Sequence, residues 1–128
     1  MSAPVMLLGR ILASAIFIEA GYSALQDMPA TAAYYDGVGI PLASLAVWPA
    51  TMLELGGGIL ILIGLFTRPV AVLLAIFAVV AAAIGHRDFA SLMQFQAFMK
   101  DLAISGGYLF LAVNGPGKWS VDGMIGRA

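Results

Sequence analysis

The chain has 128 residues, of which 62% are hydrophobic and 10% charged. That is far above the roughly 45–50% apolar content of soluble domains, so it reads as one multi-pass membrane domain spanning residues 1–128. The net charge of −1 with scattered Lys and Arg offers no surface for nucleic acid, and the lack of cysteine excludes disulfides, thiolate metal sites and iron–sulfur clusters. A single histidine, His86, argues against a bis-histidine haem, and neither a metal site nor an intrinsic cofactor is expected.

Four apolar runs mark candidate spans at about 5–25, 43–66, 69–85 and 98–114. Crossing a hydrocarbon core of about 30 Å takes about 17 to 25 helical residues, and lipid offers the backbone no hydrogen-bond partners, so each run is expected to be an α-helix. The expected fold is a four-helix transmembrane bundle. The first run contains Arg10, so it reads as a retained span and not a removable signal peptide. Arg10 lies near enough to the end of that span to snorkel to the interface.

The first connection, "QDMPATAAYYDGVGIPLAS", carries Pro29, Gly37, Gly39 and Pro41 and predicts an irregular, partly interfacial crossing. Trp48 and Pro49 suit the start of the second helix. The second connection reduces to "TR", Thr67 and Arg68, before Pro69, which predicts a tight antiparallel pair with Arg68 anchoring its turn. "HRDFASLMQFQA" mixes charge with large apolar residues and predicts a short helix on the membrane surface, and "GPGKWSVDGMIGRA" a turn-rich polar exit. Arg10, Arg68, Lys118 and Arg127 fall on the side of both termini, against Arg87 and Lys100 on the other, so the positive-inside rule puts both termini in the cytoplasm.

Ionisable residues inside spans are costly and each needs a reason. Counted from the span centres, Glu19, Glu54, His86, Lys100 and Asp101 all fall in the outer half of the bilayer, with Tyr22 one turn beyond Glu19. They are the candidate ligand-binding or proton-handling residues of one polar pocket. Two readings stand side by side: an internal ion-pair network, with Lys100 bound to Glu54 or Glu19, or a pocket for a polar head such as a quinone ring, or for protons. Gly57 and Gly58, and Gly106 and Gly107, are expected to be structural, as small-residue faces where helices approach closely. No phosphate-loop pattern accompanies them.

"LLGRILASAIFIEAGYSAL", "LELGGGILILIGLFTRPVAVLLAIF" and "KDLAISGGYLFLAVNGPGKWSVD" together resemble the DoxX family of small four-helix bacterial membrane proteins over nearly the whole chain. Ala24 stands where the family often has Lys, and Asp101 where it commonly has Asn. The resemblance implies a multi-pass protein of the bacterial inner membrane. It also implies a quinone-linked oxidoreductase subunit, with a redox-enzyme partner and a quinone as the candidate cofactor. The alternatives are a small proton-coupled transporter and a structural membrane scaffold. Homo-oligomerisation is expected from the surface that four short helices leave uncovered.

Overall fold

The computed structural model describes residues 2–127, and no strand occurs among them. α1 (Ala3–Gln26) starts at Ser2, whose Oγ accepts from the Val5 amide at 3.4 Å, with Pro4 in the first turn, where a missing N–H leaves no bond unmade. The first connection departs from its expected irregularity. Asp27 Oδ1 accepts from the Ala30 amide at 3.1 Å, Pro29 sits in the first turn, and a helix follows, α2 (Met28–Gly37).

α3 (Ala43–Ile63) carries Pro49 in its interior rather than its first turn. Pro49 has no N–H, so the Leu45 carbonyl lacks its helical partner there. Gly64, at φ 73°, ends the helix while the Leu65 amide returns to the Leu60 carbonyl at 2.9 Å. The second turn is therefore Gly64 to Phe66, and Thr67 and Arg68 belong to the first turn of α4 (Thr67–Gly85). The expected surface helix is not separate either. Residues 86–91 are non-helical, and α5 (Leu92–Asn114) runs on without a break from Ser91, whose Oγ accepts from the Gln94 amide. A short α6 (Val121–Met124) closes the tail.

The long helices form a ring in the order α1, α3, α4, α5, each antiparallel to the next. Glycine sets the α1–α3 distance: a Cβ on Gly21 would lie 2.7 Å from the Leu55 amide nitrogen, and one on Gly58 would lie 2.8 Å from Ile18 Cγ1. Gly57 packs against Leu74 of α4, so α3 and α4 make the expected antiparallel pair, although the more extensive interfaces are α4 with α5 and α1 with α3. Ala71, Ala75, Ala78 and Ala82 form a buried stripe on α4, and Ser105 Oγ of α5 donates to the Ala75 carbonyl at 2.9 Å. Phe17, Ile61, Leu74 and Tyr108 fill the centre, with the Phe17 ring edge-on to Phe77 and Tyr108.

Both chain ends lie with the α3–α4 turn at one end of the bundle, and α2 with residues 86–91 at the other. α1, α3 and α4 are each long and apolar enough to cross a membrane. Gly106 and Gly107 break with expectation, for nothing lies within 4 Å of a Cβ built on either. The α4–α5 contact is carried by the alanine stripe and Ser105 instead.

Candidate functional site

The end carrying the termini is locked by two charged groups. Arg10 is 1% exposed and does not snorkel. Its Nη1 donates to the Ile61 and Leu62 carbonyls at 3.3 and 2.8 Å, its Nε to the Pro116 carbonyl at 3.1 Å and its Nη2 to the Trp119 carbonyl. A planar fork of donors can satisfy the last turn of α3 and the tail together, so pairing Arg10 with backbone outcompetes solvent. Asp122, 3% exposed, accepts from the Phe66 and Thr67 amides at 3.0 and 2.9 Å, and so caps α4 from the tail. Burial opposes its charge, but the Thr67 and Phe66 amides and nearby Arg127 outweigh that and hold its carboxyl below the usual carboxylate range. Arg68 does not anchor the α3–α4 turn. Its Nη1 donates to the Ala112 and Val113 carbonyls, closing the C-terminal end of α5.

At the opposite end a cavity of about 500 Å³ lies beneath α2, among all four long helices. Its walls are mostly apolar, with Phe17 and Phe77 across its floor, and Tyr34 and Tyr35 of α2 with Val38 just beyond it covering it. Three of the expected site residues line it: Glu54, His86 and Asp101. His86 Nε2 and Asp101 Oδ2 are 3.6 Å apart, a charged pair when the imidazole is protonated, and the sole ion pair among the described residues. Glu54 therefore lacks the ion pair with Lys100 that one of the two readings offered to it or to Glu19. The Tyr35 phenol is pushed up to about 12, first by burial and then by the charges of Glu54 and Tyr34. Tyr35 thus stays protonated and able to donate at any physiological pH. Arg87 holds the cover in place by donating from Nη2 to the Val38 carbonyl at 3.2 Å.

The other expected members do not converge here. Glu19 is exposed and accepts from Ser23 Oγ of its own helix at 2.7 Å, Tyr22 is 60% exposed, and Lys100 is exposed. Depth along the bundle placed these residues correctly, but their angular positions on α1 and α5 turn them away from the cavity. Tyr34, Tyr35 and Asp122 were not anticipated. Asp27 followed by Pro29 signals a helix start, which would have put Tyr34 and Tyr35 on one element over the bundle. No local pattern marks Asp122, whose partners are more than fifty residues away.

The DoxX family model matches residues 5–87. Over 95% of its length the chain is 38% identical to the inner membrane protein YqjF of Escherichia coli (strain K12), covering 92% of that protein. It is 37% identical over 93% of its length to the inner membrane protein YphA of the same organism, covering 89% of it. Over 55% of its length it is 37% identical to a Bacillus subtilis (strain 168) protein named "Putative oxidoreductase CatD", covering 51% of that protein. No solved structure matches the chain.

Proposed function

Because the chain belongs to the DoxX family and is an inner-membrane protein, we propose that it serves as a membrane subunit of a quinone-linked oxidoreductase system, with the quinone ring held in the cavity beneath α2. The observation that carries this reading is Glu54, a carboxyl in an apolar cavity wall with no ion-pair partner among the described residues. A carboxyl kept there without a counter-charge is a functional candidate in a membrane protein. The name of the CatD relative points the same way.

The residues fit such a ring. The cavity volume lies within the range of about 300–1,000 Å³ usual for small-molecule sites, Phe17 and Phe77 supply flat apolar contact, and Glu54 and Tyr35 supply polar contacts. A bound quinone supplies two-electron, two-proton carrier chemistry. Glu54 accepts from a ring hydroxyl when ionised and donates to a ring carbonyl when protonated, while Tyr35 donates throughout. His86 and Asp101 form a polar pair at the loop end of the cavity. A redox-enzyme partner subunit would supply the electrons.

In this proposal α5 is a fourth crossing: its 23 residues extend about 34 Å, and Lys100 and Asp101 lie in its outer half. Both termini face the cytoplasm with Arg10, Arg68, Lys118 and Arg127. A homo-oligomer would cover the uncovered apolar surface of α3 and α4, where Ile59, Leu73 and Ile76 are exposed.

The test is binding of a tail-less benzoquinone to protein in lipid nanodiscs. Wild type is expected to bind, and Glu54→Gln to lose about tenfold in affinity, the scale of one hydrogen bond to a charged group. Absence of binding by wild type, or equal binding by Glu54→Gln, overturns the proposal. If the variant instead abolishes a pH-driven flux into liposomes, the transporter alternative replaces it.

A further inference from the structure

A groove between α1 and α5 has Leu12 and Ile16 on its α1 wall and Ile104, Gly107 and Leu111 on its α5 wall. Glu19 continues the α1 wall outward, three residues beyond Ile16, and Lys100 continues the α5 wall, four residues before Ile104. Both are exposed, and neither has an ion-pair partner among the described residues. We propose that each pairs with the other in a second copy of this chain, so that two protomers dimerise through their α1–α5 faces about a two-fold axis along the membrane normal. The proposal does not depend on the ring site, and it leaves the α3–α4 surface free for a further contact.

Three observations carry it. The first is the cost of leaving Glu19 alone in lipid. It lies seven residues, about 10 Å, short of the end of α1, and its short stem cannot carry the carboxylate that far. The Ser23 hydroxyl that donates to it at 2.7 Å is neutral. A carboxylate at that depth needs a cation at the same depth.

The second is that Lys100 lies at that depth. Asn114 Nδ2 and Met6 Sδ, 3.4 Å apart, fix a common level for the two antiparallel helices. Glu19 is thirteen residues of α1 above it, about 20 Å, and Lys100 fourteen residues of α5 above it, about 21 Å. A two-fold axis along the normal preserves depth, and in such a self-complementary contact α1 of one copy faces α5 of the other. Glu19 then meets the second copy's Lys100 and Lys100 meets its Glu19, so both ion pairs form together.

The third is the set of small residues deeper in the bilayer. Gly9 and Ala13 on α1, and Ala103 and Gly107 on α5, are each spaced four apart, and nothing lies within 4 Å of a Cβ built on Gly9 or Gly107. Such spacing lets membrane helices approach closely, yet within one protomer these glycines bring nothing close. Ala13 and Gly107 are each seven residues above the Met6–Asn114 level, so the register that aligns the charges also aligns them.

Exchanging the charges tests the inference. The chain has no cysteine, so Lys118→Cys, at an exposed position near the other end, gives a single site for a donor or acceptor dye. Energy transfer between labelled copies is followed in liposomes as added lipid dilutes the protein. Wild type is expected to associate as a dimer. Glu19→Lys and Lys100→Glu each replace two attractions with two like-charge contacts, and each is expected to weaken association about a hundredfold, roughly tenfold per contact. Mixed in equal amounts, the two variants are expected to regain wild-type association, because two positive charges on one copy meet two negative charges on the other. Pairing within one chain cannot give that recovery. Both positions are exposed, so the fold is spared, and the wild-type measurement needs no charge change. If wild type stays monomeric, the two charges are met by lipid headgroups and the inference fails. If each variant alone associates as wild type does, the copies meet at another face; that result, or a mixture no better than its components, overturns it.

Discussion

A charge inside an apolar protein can be hydrogen-bonded by backbone, and Arg10 is held that way. Among the described residues its hydrogen-bond acceptors are carbonyls, two of them at the end of α3 and two in the tail. Arg10→Leu leaves the Leu62, Pro116 and Trp119 carbonyls without the donors seen here, while Ile61 keeps the Gly64 amide, at about 1–3 kcal/mol for each lost partner, so a large fall in melting temperature is expected. Arg10→Lys should not restore it, because an ammonium cannot reproduce a planar fork; recovery with lysine would mean that charge alone matters. Asp122 adds a pH dependence. Its folded pKa lies below the unfolded value of about 3.9, so its stabilisation is present above that value and lost as pH falls through the folded one. Wild type should therefore outlast Asp122→Asn on heating near pH 6, with the gap closing below about pH 4. A gap independent of pH would contradict the capping role.

Among the elements, glycines of the same appearance differ in consequence. Gly21→Ala puts a methyl 2.7 Å from the backbone of Leu55, which cannot move aside as a side chain could, so α1 and α3 must separate at about 1–3 kcal/mol. Gly106→Ala meets nothing and gains up to about 1 kcal/mol of helix propensity. Thermal unfolding of the two variants in one detergent checks the contrast, and equal effects would refute the α1–α3 contact. This difference was illegible in sequence, because the glycine run from Gly56 to Gly58 and the pair Gly106–Gly107 look alike until a neighbour is known. The apolar runs themselves were legible, since hydropathy reports burial in lipid or protein without regard to partner. The starts of α2 and α5 were marked as well: Asp27 and Pro29, and the capping pattern Ser91 to Gln94, were outweighed by the glycines and prolines of the first loop and by the charges of the third.

At the scale of the whole molecule, one end of the bundle is closed by Arg10, Asp122 and Arg68, and the other opens into the cavity beneath α2. Depth was readable from sequence, which is why Glu54, His86 and Asp101 were singled out. Angle was not, since a helix turns 100° per residue and small errors in its start rotate a side chain out of a pocket. Glu19, Tyr22 and Lys100 left the site for that reason, and Tyr35 entered it with α2. The most direct measurement is photolabelling in nanodiscs with a tail-less quinone bearing a photoreactive group, followed by mapping of the modified residues. Ring binding beneath α2 predicts label on Tyr34, Tyr35, Glu54 or Phe77, removed by excess unlabelled quinone and reduced in Glu54→Gln. Label confined to lipid-facing positions such as Leu8, Val72 or Leu73, and unaffected by competitor, would contradict it.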